Sequence, residues 1–196
     1  MAEGQRQLLS ILCSGGSTVD VLSLGAPGKM ARRWLESFGF NARVVTGPYA
    51  SVARLNTLLW YVLGVLLCNK LRIWSYFHFV LRTPLPKQWL RRYNRIVCYY
   101  GWAYHLLGLS RAGDRVIVDL GDVMADRHQR LGARRWISLS PQAEGAILRS
   151  GAKCLAVSDD DADDFRRLYG VEVPRLFYVP PAITSSTFAS LSRSRN

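Results

Sequence analysis

From Glu36 to Asp114 the chain carries no acidic residue between those two ends, while ten basic residues fall in the same interval. Such a section cannot balance its own charge, and its field attracts anions. Cysteine is sparse and scattered: Cys13, Cys68, Cys98 and Cys154 form no CxxC pair and no cluster with histidine. That spacing argues against a disulfide framework and a structural zinc site, and suits a reducing cytosol. No secretory signal is visible, because polar and charged residues occupy the first seven positions. The uncharged run from Leu55 to Asn69 is apolar enough to enter a bilayer. It is too short to cross one, which takes about 20 residues. Motifs of the RNP, zinc-finger and helix-turn-helix kinds are also absent.

What is present describes a globular chain. Of 196 residues, 49% are hydrophobic and 20% charged, enough for one large domain or two small ones with a real core. The net charge of +12 calls for an anionic partner without choosing among nucleic acid, acidic phospholipid and a phosphorylated substrate. In the acid-free section the basic residues Arg54, Lys70, Arg72, Arg82, Lys87, Arg91, Arg92, Arg95 and Arg111 alternate with aromatics from Trp60 to Tyr104. Three readings are open there. The section is a buried helix with an aromatic core and a solvated basic face, or a surface for an anionic membrane, or a binder of single-stranded nucleic acid.

Taken in order, the chain alternates helices and strands. Leu8, Leu9, Ile11 and Leu12 have helical spacing, and Val19 to Leu24 reads as a strand. Pro27-Gly28 introduces a helix over about Lys29 to Phe38 that Gly39 ends, and Ala42 to Thr46 is a second strand. After the basic section come a strand at Arg95 to Tyr100 and a short helix around Trp102 to Leu107. The stretch Arg115 to Arg130 is next, RVIVDLGDVMADRHQR. Val116-Ile117-Val118 is the uncharged β-branched run of a buried parallel strand, with Asp119, Gly121 and Asp122 at its end. Carboxylates there either cap the next helix or stand in the crevice beyond the strand ends, where α/β sheets bind ligands. A helix from Pro141 to Ser150, a strand over Lys153 to Val157, a helix capped by Ser158 and a strand over Leu176 to Val179 complete the alternation. Asp159, Asp160, Asp161, Asp163 and Asp164 complement a positive helix end rather than forming a metal site. Residues 184–196, rich in Ser, Thr and Arg, read as a disordered tail. The expected class is α/β, a doubly wound parallel sheet in a single Rossmann-like domain.

The motifs carry a family resemblance. V-D-L-G-D-V, A-D-R-H-Q-R, a helix with Glu144, K-C-L-A-V-S, an acidic-capped helix, Y-G-V and F-Y-V-P-P occur in the order of the second half of a known domain. That domain is the N-terminal, acceptor-side half of retaining, nucleotide-sugar-dependent glycosyltransferases of the GT-B fold. The opening E-G-Q-R-Q-L-L-S-I-L resembles its glycine loop and first helix, and V-D-V-L-S-L-G its second strand. The resemblance spans roughly residues 4 to 183 and is weakest in the section over 54–105, which looks like a helical insertion. It implies transfer of a sugar from a nucleotide diphosphate sugar to a lipid-linked or polysaccharide acceptor, at the inner face of a membrane, with no metal and no resident cofactor. By the same resemblance Asp122 and Arg127 are catalytic, and Gly4, Arg6 and Gly121 line the donor. Glu144 matches an acidic position on the following helix and is expected to be a surface charge; His128 has no counterpart and is expected to face solvent.

Three departures accompany the match. Gly121 stands where relatives commonly have a histidine that contacts sugar or acceptor. The first strand is missing, since Met1 falls where the glycine loop begins. The chain also stops near the interdomain hinge, before the half that grips the nucleotide sugar. The expectation is one truncated half of a glycosyltransferase, inactive alone. The alternative is a non-enzymatic basic module that binds a membrane surface or nucleic acid.

Overall fold

A computed structural model describes the backbone of residues 3–14, 16, 18–71, 82–121, 141–170 and 176–178. Its elements are α1 (Glu3–Ser14), β1 (Val19–Val21), α2 (Gly28–Ser37), β2 (Ala42–Val44), α3 (Pro48–Leu71), α4 (Lys87–Arg92), β3 (Ile96–Tyr99) and α5 (Gly101–Leu106). Next come a 3-10 segment over Leu109–Arg115, β4 (Val116–Gly121), α6 (Pro141–Leu148), β5 (Lys153–Ala156), α7 (Asp159–Tyr169) and β6 (Leu176–Tyr178). The chain is α/β, with every strand pairing parallel. One sheet has the order β1-β2 and the other β3-β4-β5-β6.

Punctuation in the sequence explains most element ends. Gly39 takes φ +69 and its N–H reaches Glu36 O at 3.0 Å, so α2 stops where a left-handed residue closes it. The N-cap of α7 is Ser158, whose hydroxyl accepts from Asp161 N at 3.0 Å and donates to Asp161 Oδ2 at 2.5 Å. Gly170, at φ +59, ends the same helix. Along α7, Arg166 pairs with Asp163 at 2.7 Å and Arg167 with Asp164 at 2.5 Å. Those carboxylates therefore serve the helix that carries them.

The main core lies against the larger sheet. Val116, Val118 and Leu120 of β4 are buried on one face, beside Cys154 and Ala156 of β5, Ile147 of α6 and Phe165 of α7. Ile117 and Asp119, on the other face, are only half-buried. The uncharged run thus alternates, one face sealed and the other partly open, because the pleat sends successive side chains to opposite sides. Residues from the section expected to be an insertion enter this core directly: Leu90, Cys98, Ala103 and Tyr104 are all buried. A smaller cluster of Ala31, Leu35 and Val44, flanked by Trp34 and Phe40, holds α2 on the two-stranded sheet.

Side chains tie the two sheets together. Arg43 grips Asp20 with two hydrogen bonds, Nε to Oδ1 at 2.8 Å and Nη2 to Oδ2 at 2.6 Å, and Tyr93 Oη donates to Asp20 Oδ2 at 2.5 Å. Arg115 in turn donates to the carbonyls of Leu90 and Tyr93 at 2.5 and 3.2 Å, fixing the loop that carries the tyrosine. Leu22 and Leu24, just past β1, pack against the main core. Tyr49 in the first turn of α3 donates to Thr83 O at 2.7 Å, and burial pushes its hydroxyl up to about 12.

Candidate functional site

The open end of the larger sheet is built by the carboxyl ends of β3 and β4. Tyr99 and Asp119 are register partners, so their side chains leave the same face of the sheet. Asp119 O accepts from Tyr100 N at 3.0 Å, the last bond before β3 turns into α5. Between β4 and β5 the register slips: Asp119 pairs with Leu155, yet Gly121 pairs with Ala156. One residue of β4 is therefore extra. A bulge of this kind bends the strand and re-aims the residues after it, and bulges gather at sheet rims and beside binding sites. It lies immediately ahead of Asp122.

Tyr100 is a backbone outlier. Its φ of 70° with ψ of 133° makes it the one non-glycine among the described residues with positive φ. For a residue bearing a Cβ that conformation costs about 1–3 kcal/mol. Its ring meets that of Tyr99 edge-on, centroids 4.4 Å apart and planes at 75°. Tyr99 is half-buried, and burial, reinforced by Tyr100 and the Asp119 charge, holds its hydroxyl well above the usual phenol range. Tyr100 is 37% exposed, whereas Gly101, Ala103 and Tyr104 just after it are buried.

Asp122, Arg127 and His128, like residues 184–196, lie outside the described residues. Gly121 is the last residue of β4. Gly4 and Arg6 lie in α1, which already begins at Glu3 and leads into the other sheet; the expected glycine loop is helical backbone. Glu144 requires a correction. It is no surface charge but is fully buried, in the first turn of α6, and accepts a hydrogen bond from Tyr169 Oη. Carboxylates stay buried only when partnered, and the phenol supplies a partner. Burial, together with the Glu144 charge, raises the Tyr169 hydroxyl. Next to Glu144, Ala143 O lies 2.9 Å from His105 Nε2, and burial lowers the pKa of that imidazole.

The Tyr99–Tyr100 pair and the bulge are not singled out by the sequence. An aromatic pair at the end of a parallel strand and before glycine, Tyr99-Tyr100-Gly101, is the only local signal; the dihedral belongs to the fold. A groove of about 280 Å³ opens elsewhere, lined by Cys13, Thr18, Val19, Asn41 and Arg43. It lies at the amino ends of β1 and β2, away from the ends where open α/β sheets bind ligands. Among the described residues no group of three His, Cys, Asp or Glu side chains could hold a metal ion.

A second surface belongs to α3. Ala50 and Ala53 are buried, while Val52, Leu55, Leu58, Leu59 and Val62 are exposed. Their spacing of three and four places them along one stripe of the helix. No helix among the described residues is long and apolar enough to cross a membrane. No protein-family model, curated protein or solved structure matches this chain.

Proposed function

We propose that this chain is the acceptor-side domain of a GT-B glycosyltransferase, moving a sugar from a nucleotide diphosphate sugar to a lipid-linked or polysaccharide acceptor at a membrane surface. The observation that carries the proposal is the bulged end of β4, where Asp119 and Gly121 stand at the rim and the chain runs on to Asp122. Sugar transfer must stabilise a departing diphosphate and a ring with oxocarbenium character. In this reading Asp122 orients the acceptor hydroxyl, Arg127 faces the diphosphate, and Gly4, Arg6 and Gly121 line the donor side. The two sheets are flanks of one doubly wound layer, in the order β2-β1 then β3-β4-β5-β6. What supports this is that β1 bonds only to β2, and β3 only to β4, among the described residues, while Tyr93 and Asp20 bridge them by side chains. The test is nucleotide-sugar-dependent incorporation of labelled sugar into lipid extracts by the full gene product and its Asp122→Ala variant. A loss of roughly two or more orders of magnitude is expected of a group aligned on the reacting hydroxyl; equal incorporation removes Asp122 from the site.

A non-enzymatic membrane-surface module is the second reading, favoured by the apolar stripe on α3 within an interval lacking acid. Each basic residue near an anionic leaflet adds about 1 kcal/mol. Flotation with phosphatidylserine vesicles, compared with RNA binding at low and high salt, separates lipid from nucleic acid. Binding to vesicles without any sugar transfer favours this second reading.

A further inference from the structure

We propose that Tyr100, backed by Tyr99 and flanked by Asp119, is a platform for the uncharged pyranose ring of an acceptor; this rests on the glycosyltransferase reading and names a contact for its neutral substrate. The backbone of Tyr100 carries a cost of about 1–3 kcal/mol. A glycine would hold φ +70° without strain, yet a tyrosine stands there. Buried rings can compensate strain by apolar contact. Tyr100, however, is the exposed member of its segment, and its described ring contact is the edge-on one with Tyr99. More than a third of Tyr100 is thus open to solvent at the carboxyl ends of two parallel strands, where ligands of open α/β sheets sit.

The chemistry selects the ligand class. An aromatic face is the negative side of a quadrupole and attracts the polarised C–H groups of a pyranose. Rings at 75° form a corner with a floor and a wall. Asp119, the register partner of Tyr99, places a negative charge beside the pair. The same negative charge disfavours a nucleotide whose base stacks on the ring while its phosphates lie alongside, which separates acceptor from donor.

The experiment is saturation-transfer NMR on the full 196-residue chain, with methyl β-D-glucopyranoside, methyl β-D-galactopyranoside and methyl α-D-mannopyranoside as probes and uridine monophosphate as anionic competitor. Transfer to the ring C–H protons of at least one glycoside is expected. Tyr100→Gly, which keeps the backbone conformation and relieves its strain, is expected to abolish transfer while leaving the melting temperature unchanged or raised. Tyr100→Phe, which keeps the aromatic face, is expected to retain it. Undiminished transfer in a folded Tyr100→Gly chain overturns the platform. So does silence from all three glycosides, or displacement by uridine monophosphate alone. If sugar incorporation still depends on Asp122 while these results hold, the platform fails and the glycosyltransferase reading stands.

Discussion

Adding a single methyl group at Gly145 tests the packing around the buried carboxyl. Gly145 sits in the middle of α6, and a Cβ built there meets Tyr169 Cδ1 at 2.9 Å, Arg149 Nη2 at 3.0 Å and Tyr169 Cε1 at 3.1 Å. Alanine is the better helix former by about 0.8–1.0 kcal/mol, so propensity alone predicts stabilisation. Against it, overpacking costs about 1–3 kcal/mol. The flexible end of Arg149 can swing away, but Tyr169 is held by its hydroxyl on Glu144. Moving that ring weakens a buried hydrogen bond worth about 1 kcal/mol. Gly145→Ala is therefore expected to destabilise by about 1–3 kcal/mol net, lowering a urea midpoint by about 1 M at ordinary m-values. Because both changes act on one contact, Tyr169→Phe should cost less in the Gly145→Ala background than in the parent, a coupling of about 0.5 kcal/mol or more. Urea unfolding followed by circular dichroism supplies all four corners of the cycle. A Gly145→Ala chain at least as stable as the parent would refute the geometry, and strict additivity would refute the role given to the hydroxyl.

Other contacts set further expectations. Ser158→Ala removes the α7 cap and should cost about 1 kcal/mol in urea unfolding, and Ser158→Asp should not restore it, because a carboxylate cannot donate to Asp161 Oδ2 and repels it. The Arg43 hydrogen bonds, opposed by burial and aided by Tyr93, hold the Asp20 carboxyl below its ordinary 3.8. Its contribution is thus complete above that value and disappears as pH falls through the lower folded pKa; Asp20→Asn should lower stability at neutral pH and flatten the acid limb. Burial pushes the Cys154 thiol up to about 12 and the Cys98 thiol higher still. Iodoacetamide at pH 8 should therefore modify half-buried Cys13 well before either, by peptide mass spectrometry.

Local chemistry decides the elements, and that much is legible. Ser158 with Asp161, and Gly39 and Gly170 past the ends of α2 and α7, act within one turn of chain, so their signals survive without any tertiary information. Val116 to Val118 announce a parallel strand because β-branched apolar residues suit a strand buried in a sheet. The family resemblance puts Gly4 in a glycine loop, yet α1 runs through it; glycine's cost in a helix, about 1 kcal/mol, is small beside the rest of a twelve-residue helix. Glu144 reads as a surface charge for a related reason. In a first turn a carboxylate is stabilised by the helix end whether or not it is exposed, and its partner Tyr169 is 25 residues away.

What the sequence alone determined was the alternation of helix and strand, the caps, the basic interval and the place where polar residues meet the end of β4. Tertiary structure decided the rest: the pairing order β3-β4-β5-β6, the bulge ahead of Gly121, the positive φ of Tyr100 and the burial of Glu144. The physical reason is range. Caps and propensities are set by neighbours within a turn, whereas register, burial and a strained dihedral exist only once strands distant in the chain lie side by side.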